Sequence, residues 1–160
     1  MMSILHEIEP VFDEKSQILI LGSFPSVKSR EMGFFYGHPQ NRFWRVLAAM
    51  REAEVPQTID EKKAFLLAHH IAVWDVIASC DITGSSDSSI RNVVPADIRK
   101  ILNRADIRQI CCNGGTAHRL YMKYIYPKCG REAIKLPSTS PANAAWSLER
   151  LVEEWKKRIT

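Results

Sequence analysis

At 160 residues the chain suits a single domain, 1–160, large enough to bury a core without crosslinks. Hydrophobic residues make up 46% of it and charged residues 25%, the balance of a soluble globular protein, which excludes a disordered or low-complexity chain. Its 22 basic side chains against 18 acidic ones leave a formal charge of +4, a mild excess that suits a polyanionic partner without identifying one.

Residues 1–16 carry Ile4, Leu5, Ile8 and Phe12 at helical spacing, the pattern of a short amphipathic lead-in. The run Ile18-Leu19-Ile20-Leu21 has the length of a fully buried strand and breaks at Gly22 into a loop. That loop holds three of the chain's 7 glycines, Gly22, Gly33 and Gly37, together with Pro25 and Pro39, so it needs a fixed and unusual backbone shape. Phe43, Val46, Leu47 and Met50 then recur on one face of a helix from about Asn41 to Arg51. Asp60 is placed to cap a second helix reaching His69, with Phe65 and Leu66 facing inward. Ile71 to Ile77 reads as a second strand, and the Ser, Gly and Asp of residues 79–89 read as a loop. Pro95 fits the first turn of a helix to Asn103 that buries Ile98, Ile101 and Leu102. A third strand, Ile107 to Cys112, ends in Asn113-Gly114-Gly115, and Ala117, Leu120, Tyr121 and Tyr124 mark the helix that follows. A fourth strand, Ala133 to Leu136, leads into a Ser/Pro loop at 137–143. The closing helix aligns Leu148, Leu151, Val152, Trp155 and Ile159, with Lys156, Lys157 and Arg158 favourable beside its C-terminus. Strands alternating with helices predict an α/β fold, a three-layer α/β/α sandwich around a parallel sheet of about four strands.

The four cysteines, Cys80, Cys111, Cys112 and Cys129, have no C-x-x-C spacing and are expected as reduced, mostly buried thiols, which fits a cytoplasmic protein. His69 and His70 are the only adjacent histidines and point to different sides of a helix, so no metal site is expected. Met1 to Phe12 lacks a basic start followed by an apolar run, and no stretch is long and apolar enough for a membrane span. No cofactor, export signal or membrane span is expected, and the chain is expected to act as a monomer.

Parallel strands bring their carboxyl ends to one edge, where such folds bind ligands. Four segments are expected there: Gly22 to Asn41, Trp74 to Asp87, Asn113 to Thr116, and Ser138 to Asn143. They offer Asn, Ser, Thr, Asp and aromatic side chains, with no close carboxylate pair and no Ser–His pair, so a protein nucleophile is not indicated. The inventory suits a site that binds a planar base and orients a water.

The sequence GSFPS at Gly22 to Ser26, followed by GHPQNRFW at Gly37 to Trp44, resembles the uracil-DNA glycosylase superfamily and fits best its hypoxanthine-DNA (deoxyinosine) glycosylase branch. In the mismatch-specific branch the first motif reads G-I-N-P-G, with H-P-x-N-R-F-W at the same distance; here Phe24 stands where that branch keeps its catalytic Asn. W-D-V-I at Trp74 to Ile77, G-S-x-D-S-S-I at Gly84 to Ile90, N-G-G at Asn113, and the Ser/Pro loop extend the likeness over about Ile18 to Leu151. The resemblance implies a monofunctional glycosylase that excises hypoxanthine from DNA, with water as nucleophile and an abasic site as product. Its substrate would be DNA containing deaminated bases, and the cysteines do not offer the iron-sulfur pattern of some branches. The implied roles are catalysis by Asn41 and Ser23, and base binding by Gly22, Phe24, Tyr36 and Asn113, Tyr36 as the stacking ring. DNA contacts are implied for Ser138, Thr139, Ser140, Pro141 and Asn143, and Arg42, one of the basic residues around the first loop, is placed to meet a phosphate, a solvated surface charge being its plainer reading. Plainer readings stand beside these: Asn41 as a helix cap, Ser23 and Phe24 as a turn, Asn113 as a turn residue, and the Ser/Pro loop as an ordinary helix start. Two other functions stay open, a uracil- or mismatch-directed glycosylase, against which Phe24 weighs, and a noncatalytic binder of damaged DNA.

Overall fold

The computed structural model describes residues 3–159. In chain order the elements are β1 (Ile4–Leu5), β2 (Ile18–Gly22), α1 (Val27–Met32), α2 (Phe43–Met50), α3 (Ile59–Ala68), β3 (Ile71–Asp75), β4 (Ile77–Asp81), β5 (Arg91–Pro95), α4 (Arg99–Leu102), β6 (Gln109–Asn113), α5 (Gly115–Leu120), α6 (Tyr126–Cys129), β7 (Ile134–Leu136) and α7 (Leu148–Arg158).

A parallel sheet in the order β3-β2-β6-β7 forms the centre, with Ile18 opposite Ile71 on one side and Gln109 on the other. Alternate residues of β2 face opposite ways, as the two-residue period of a strand requires. Ile18 and Ile20 enter one core cluster with Phe43, Leu47, Phe65, Leu151 and Trp155. Leu19 and Leu21 enter a second with Ile98, Ile101, Leu120 and Ile125. Both faces of the sheet are thus covered by helices, which is why these strands read as unbroken apolar runs. The predicted parallel sheet and flanking helices are present.

Several elements differ from the sequence reading. The lead-in is extended and not helical: Ile4 and Leu5 pair antiparallel with Cys80 and Ser79, and Val11 bridges Val73. Pro10 lacks the N–H and the steric freedom that a helix interior needs, so the helical spacing of Ile4, Ile8 and Phe12 is overridden. The second strand is two: β3 stays in the parallel sheet, while after Val76, whose N–H donates to Gly22 O at 2.8 Å, β4 joins an antiparallel sheet of order β1-β4-β5. Residues 79–81, read as loop, belong to β4, and Pro95 ends β5 instead of opening a helix. Proline is tolerated at such an outer strand end, where its missing donor is not needed. Thr58, not Asp60, caps α3, through a capping box with Glu61. The helix read through Tyr124 slips into a π turn at Tyr121–Ile125 before α6.

Candidate active site

The carboxyl ends of β2, β3 and β6 open on a cavity of about 530 Å³, roomy enough for an extruded base. Gly22, Ser23, Phe24, Tyr36, Asn41 and Asn113 all line it, as do Ser138, Thr139, Ser140 and Pro141. Asn143 and Arg42 are not among its lining residues.

One wall is the loop after β2. Inside it, Ser26 caps the short helix α1 by accepting from Ser29 N at 3.1 Å, and Gly33 ends that helix at φ 73°. The chain then passes through Tyr36 at φ 52°, a left-handed backbone unusual for an aromatic residue. The Tyr36 ring stacks on Phe43 with centroids 3.9 Å apart and planes 18° from parallel. Its hydroxyl is enclosed without a hydrogen-bond partner. Burial pushes that hydroxyl far above its ordinary pKa, and the Asp75 charge adds to the effect, so Tyr36 stays protonated. Gly22 makes this packing possible: a Cβ there would lie 2.5 Å from Asp75 Oδ1 and 2.8 Å from Tyr36 Oη.

The opposite wall is an amide array. Thr139, fully buried, donates from Oγ1 to Asn41 Oδ1 at 2.8 Å and accepts from Asn113 Nδ2 at 3.0 Å. Its backbone N–H donates to Asn113 Oδ1 at 3.1 Å. Asn41 Oδ1 also accepts from Phe43 N at 2.9 Å, so it ties down the start of α2 while facing the cavity. Arg42, not Asn41, is the N-cap of α2 and makes no side-chain cap bond; Asn41, one residue earlier, braces the first helical N–H while lining the cavity. With both lone pairs of Oδ1 engaged, the amide presents its Nδ2 donors to a ligand. Asn113 keeps one N–H and one lone pair beyond its two bonds to Thr139. Gly114, at φ 101°, follows at once, and a Cβ there would sit 3.1 Å from Ser138 Cβ.

Arg42 runs through the Ser/Pro loop. Its guanidinium donates to the carbonyls of Ser140 and Asn143, each at 3.0 Å, and to that of Trp146. Asn143 Nδ2 in turn holds Ser138 O at 3.0 Å. The Arg42 guanidinium, the Asn143 amide and the Thr139 hydroxyl are thus engaged within the protein, where each shapes the loop instead of reaching outward. Ser138 and Ser140 hydroxyls accept from Ser140 N and Ala142 N, both at 3.1 Å, and retain their own O–H for a partner. A serine-rich rim closes the mouth: Ser23 Oγ donates to Asp87 Oδ1 at 3.2 Å, Ser85 Oγ accepts from Val27 N at 2.9 Å, and Arg30 holds Gly84 O.

The family model described as the uracil DNA glycosylase superfamily matches residues 9–159. The chain belongs to the uracil DNA glycosylase superfamily. Among curated superfamily relatives, a Methanosarcina acetivorans protein named hypoxanthine DNA glycosylase is 35% identical over 148 residues, covering 91% of this chain and 92% of its own. A Methanosarcina barkeri protein of the same name is 36% identical over 85 residues, 52% of this chain and 53% of its own. The solution NMR structure of a Methanosarcina acetivorans protein, described as a candidate uracil DNA glycosylase, superimposes with a TM-score of 0.82 at 32% identity. That match covers 98% of this chain and 96% of the other.

Within this uracil DNA glycosylase fold, the floor of the cavity holds a pair that residue patterns did not reveal. Asp75, at the end of β3, lines the cavity, and its Oδ2 lies 2.7 Å from Nε2 of His6, which is 69 residues away in sequence. A lone histidine in a segment read as an amphipathic lead-in carries no signal of such a partner. Among the described residues no group of three or more His, Cys, Asp or Glu side chains is gathered to hold a metal ion. Cys80, Cys111 and Cys112 are buried in β4 and β6, Cys129 is half-buried, and all four are free thiols. No helix among the described residues is long and apolar enough to cross a membrane.

Proposed function

We infer that this chain is a monofunctional DNA glycosylase that removes hypoxanthine from deoxyinosine in DNA, with water as the attacking group. The observation that carries the reading is the Asn113–Thr139–Asn41 array, which aims amide donors into a cavity walled by a rigid aromatic ring. The name borne by the Methanosarcina relatives supports it. Breaking the glycosidic bond leaves an oxocarbenium-like sugar and a base that gains negative charge. Preorganised donors at the departing base stabilise that charge without a strong acid. The extruded base would stack against Tyr36, which its own stack on Phe43 keeps from yielding. Asn41, whose oxygen is already engaged twice, would donate from Nδ2 to the leaving base. The hydroxyls of Ser138 and Ser140 would meet the DNA backbone, ahead of the Arg42-braced loop. The same reading has the enzyme act as a cytoplasmic monomer that needs neither cofactor nor metal ion, because neutral donors meet the chemical demand.

Release of free hypoxanthine from an inosine-containing duplex tests this. Wild type should cleave, and Asn41→Ala should lose about a hundredfold or more in single-turnover rate while staying folded. A wild-type protein that binds the duplex yet frees no base over prolonged incubation would overturn the assignment. A parallel uracil-containing duplex tests the second reading, favoured by the description of the solved relative.

A further inference from the structure

At the cavity floor Asp75 is paired with His6 behind it, and their side chains are 5% and 3% exposed. A carboxylate oxygen accepts, so His6 Nε2 carries the proton of this 2.7 Å bond. Nδ1 is buried without any partner, which leaves Asp75 as the imidazole's single polar tie. Phe24, Phe35 and Trp74 box the ring at centroid distances of 5.9, 6.1 and 6.3 Å, so it cannot swing away. The result is an Asp75 held by one oxygen. The other, Oδ1, receives no hydrogen bond from the described residues and lies beside Gly22, at the floor of the cavity that Asp75 lines.

Deamination changes what a base presents at this depth. Hypoxanthine carries a ring N–H at N1, where adenine has a bare lone pair. A carboxylate only accepts, so it can bond the first and repels the second. We propose that His6 is a positioning residue for base selection: it fixes Asp75 so that Oδ1 meets the ring N–H of an extruded deaminated base and rejects the aminated one. This rests on the glycosylase reading above and adds the group that discriminates among bases. Sites built to hydrogen-bond one partner reject the analogue lacking it far more strongly than apolar pockets do, because a polar group is then left unpaired.

The test is a double-mutant cycle on the full chain, read as kcat/KM for hypoxanthine and adenine release from matched duplexes, with melting temperatures for every variant. In Asp75→Asn the His6 N–H captures the amide oxygen and turns the NH2 toward the floor, donor against donor. Hypoxanthine release should fall about a hundredfold or more. The hypoxanthine-to-adenine ratio should fall with it. His6→Phe fits the aromatic box and removes the tether. Combined with Asp75→Asn it lets the amide turn over, so the double variant should recover about tenfold over Asp75→Asn alone. A purely structural pair would give no such rescue. Wild-type hypoxanthine release by Asp75→Asn, or a double variant no faster than Asp75→Asn alone, overturns the inference. If His6→Phe does not fold, the base ratio of Asp75→Asn decides alone, an unchanged ratio being the refuting result. If wild type frees no hypoxanthine, the glycosylase reading itself fails and this inference falls with it; if wild type cleaves and the variants disobey, only the inference falls.

Discussion

Replacing Thr139 with valine removes one oxygen atom and nearly nothing else, since the two side chains share a shape. That oxygen accepts from Asn113 Nδ2 at 3.0 Å and donates to Asn41 Oδ1 at 2.8 Å in a fully buried position. Two hydrogen bonds vanish and Asn113 is left with an N–H facing a methyl group, a combined cost of about 2–3 kcal/mol. For a domain of this length each kcal/mol lowers Tm by about 2–4 °C, so the transition should move down by about 4–12 °C. Catalysis should suffer independently, because Asn41 keeps only its bond from Phe43 N and its donors lose their aim. A drop of about 10- to 100-fold in single-turnover hypoxanthine release is expected. Thr139→Ser is the control: it keeps the hydroxyl, gives up one buried methyl worth about 1 kcal/mol, and should cleave at close to the wild-type rate. Urea unfolding at equilibrium and release kinetics with enzyme in excess measure the two effects. Valine at 139 with unchanged unfolding and unchanged rate refutes the relay; serine as slow as valine shows that methyl packing, and not the hydroxyl, holds the amides.

Three more changes follow from distances already given. Gly22→Ala places a methyl 2.5 Å from Asp75 Oδ1 and 2.8 Å from Tyr36 Oη, groups pinned by His6 and by Phe43, so base release should be lost and stability reduced by about 1–3 kcal/mol; an active alanine variant contradicts the packing described. Arg42→Met should lower the unfolding midpoint yet leave the salt dependence of DNA binding unchanged, because the guanidinium holds loop carbonyls; a salt slope smaller by about 1 would instead place Arg42 on a phosphate. Burial pushes the Cys111 and Cys112 thiols up to about 12, so the unfolded chain loses these protons first and stability should decline as pH rises from near 9 toward 12; pH-dependent urea titrations showing no alkaline loss beyond that of a Cys111→Ala, Cys112→Ala variant would refute this.

The parallel sheet was legible because both its faces are buried, which leaves apolar runs such as Ile18 to Leu21 bounded by Gly22. The first-loop motifs were legible for a related reason: crowded glycines, prolines and aromatics announce a shaped loop, and its residues do line the cavity. The antiparallel sheet was not legible. Trp74-Asp75-Val76-Ile77 shows no composition break where the chain leaves one sheet for another, and the partner of Ile4 is Cys80, far along the chain. Local spacing also mistook the lead-in, since Ile4, Ile8 and Phe12 satisfy a helical period that Pro10 forbids. Within the site, charge suggested a DNA contact for Arg42 and family likeness suggested one for Thr139; the structure shows their bonds to carbonyls and amides about a hundred residues away, a separation no periodicity reports. His6 was invisible for the same reason.

The antiparallel pairing of Ile4 and Leu5 with β4 means that the cavity floor is assembled partly from the very beginning of the described chain. A protease nick between residues 6 and 12 would slacken His6 without touching any motif of the first loop. A chain nicked there should therefore differ from the intact one in fidelity toward bases before it differs in affinity for DNA.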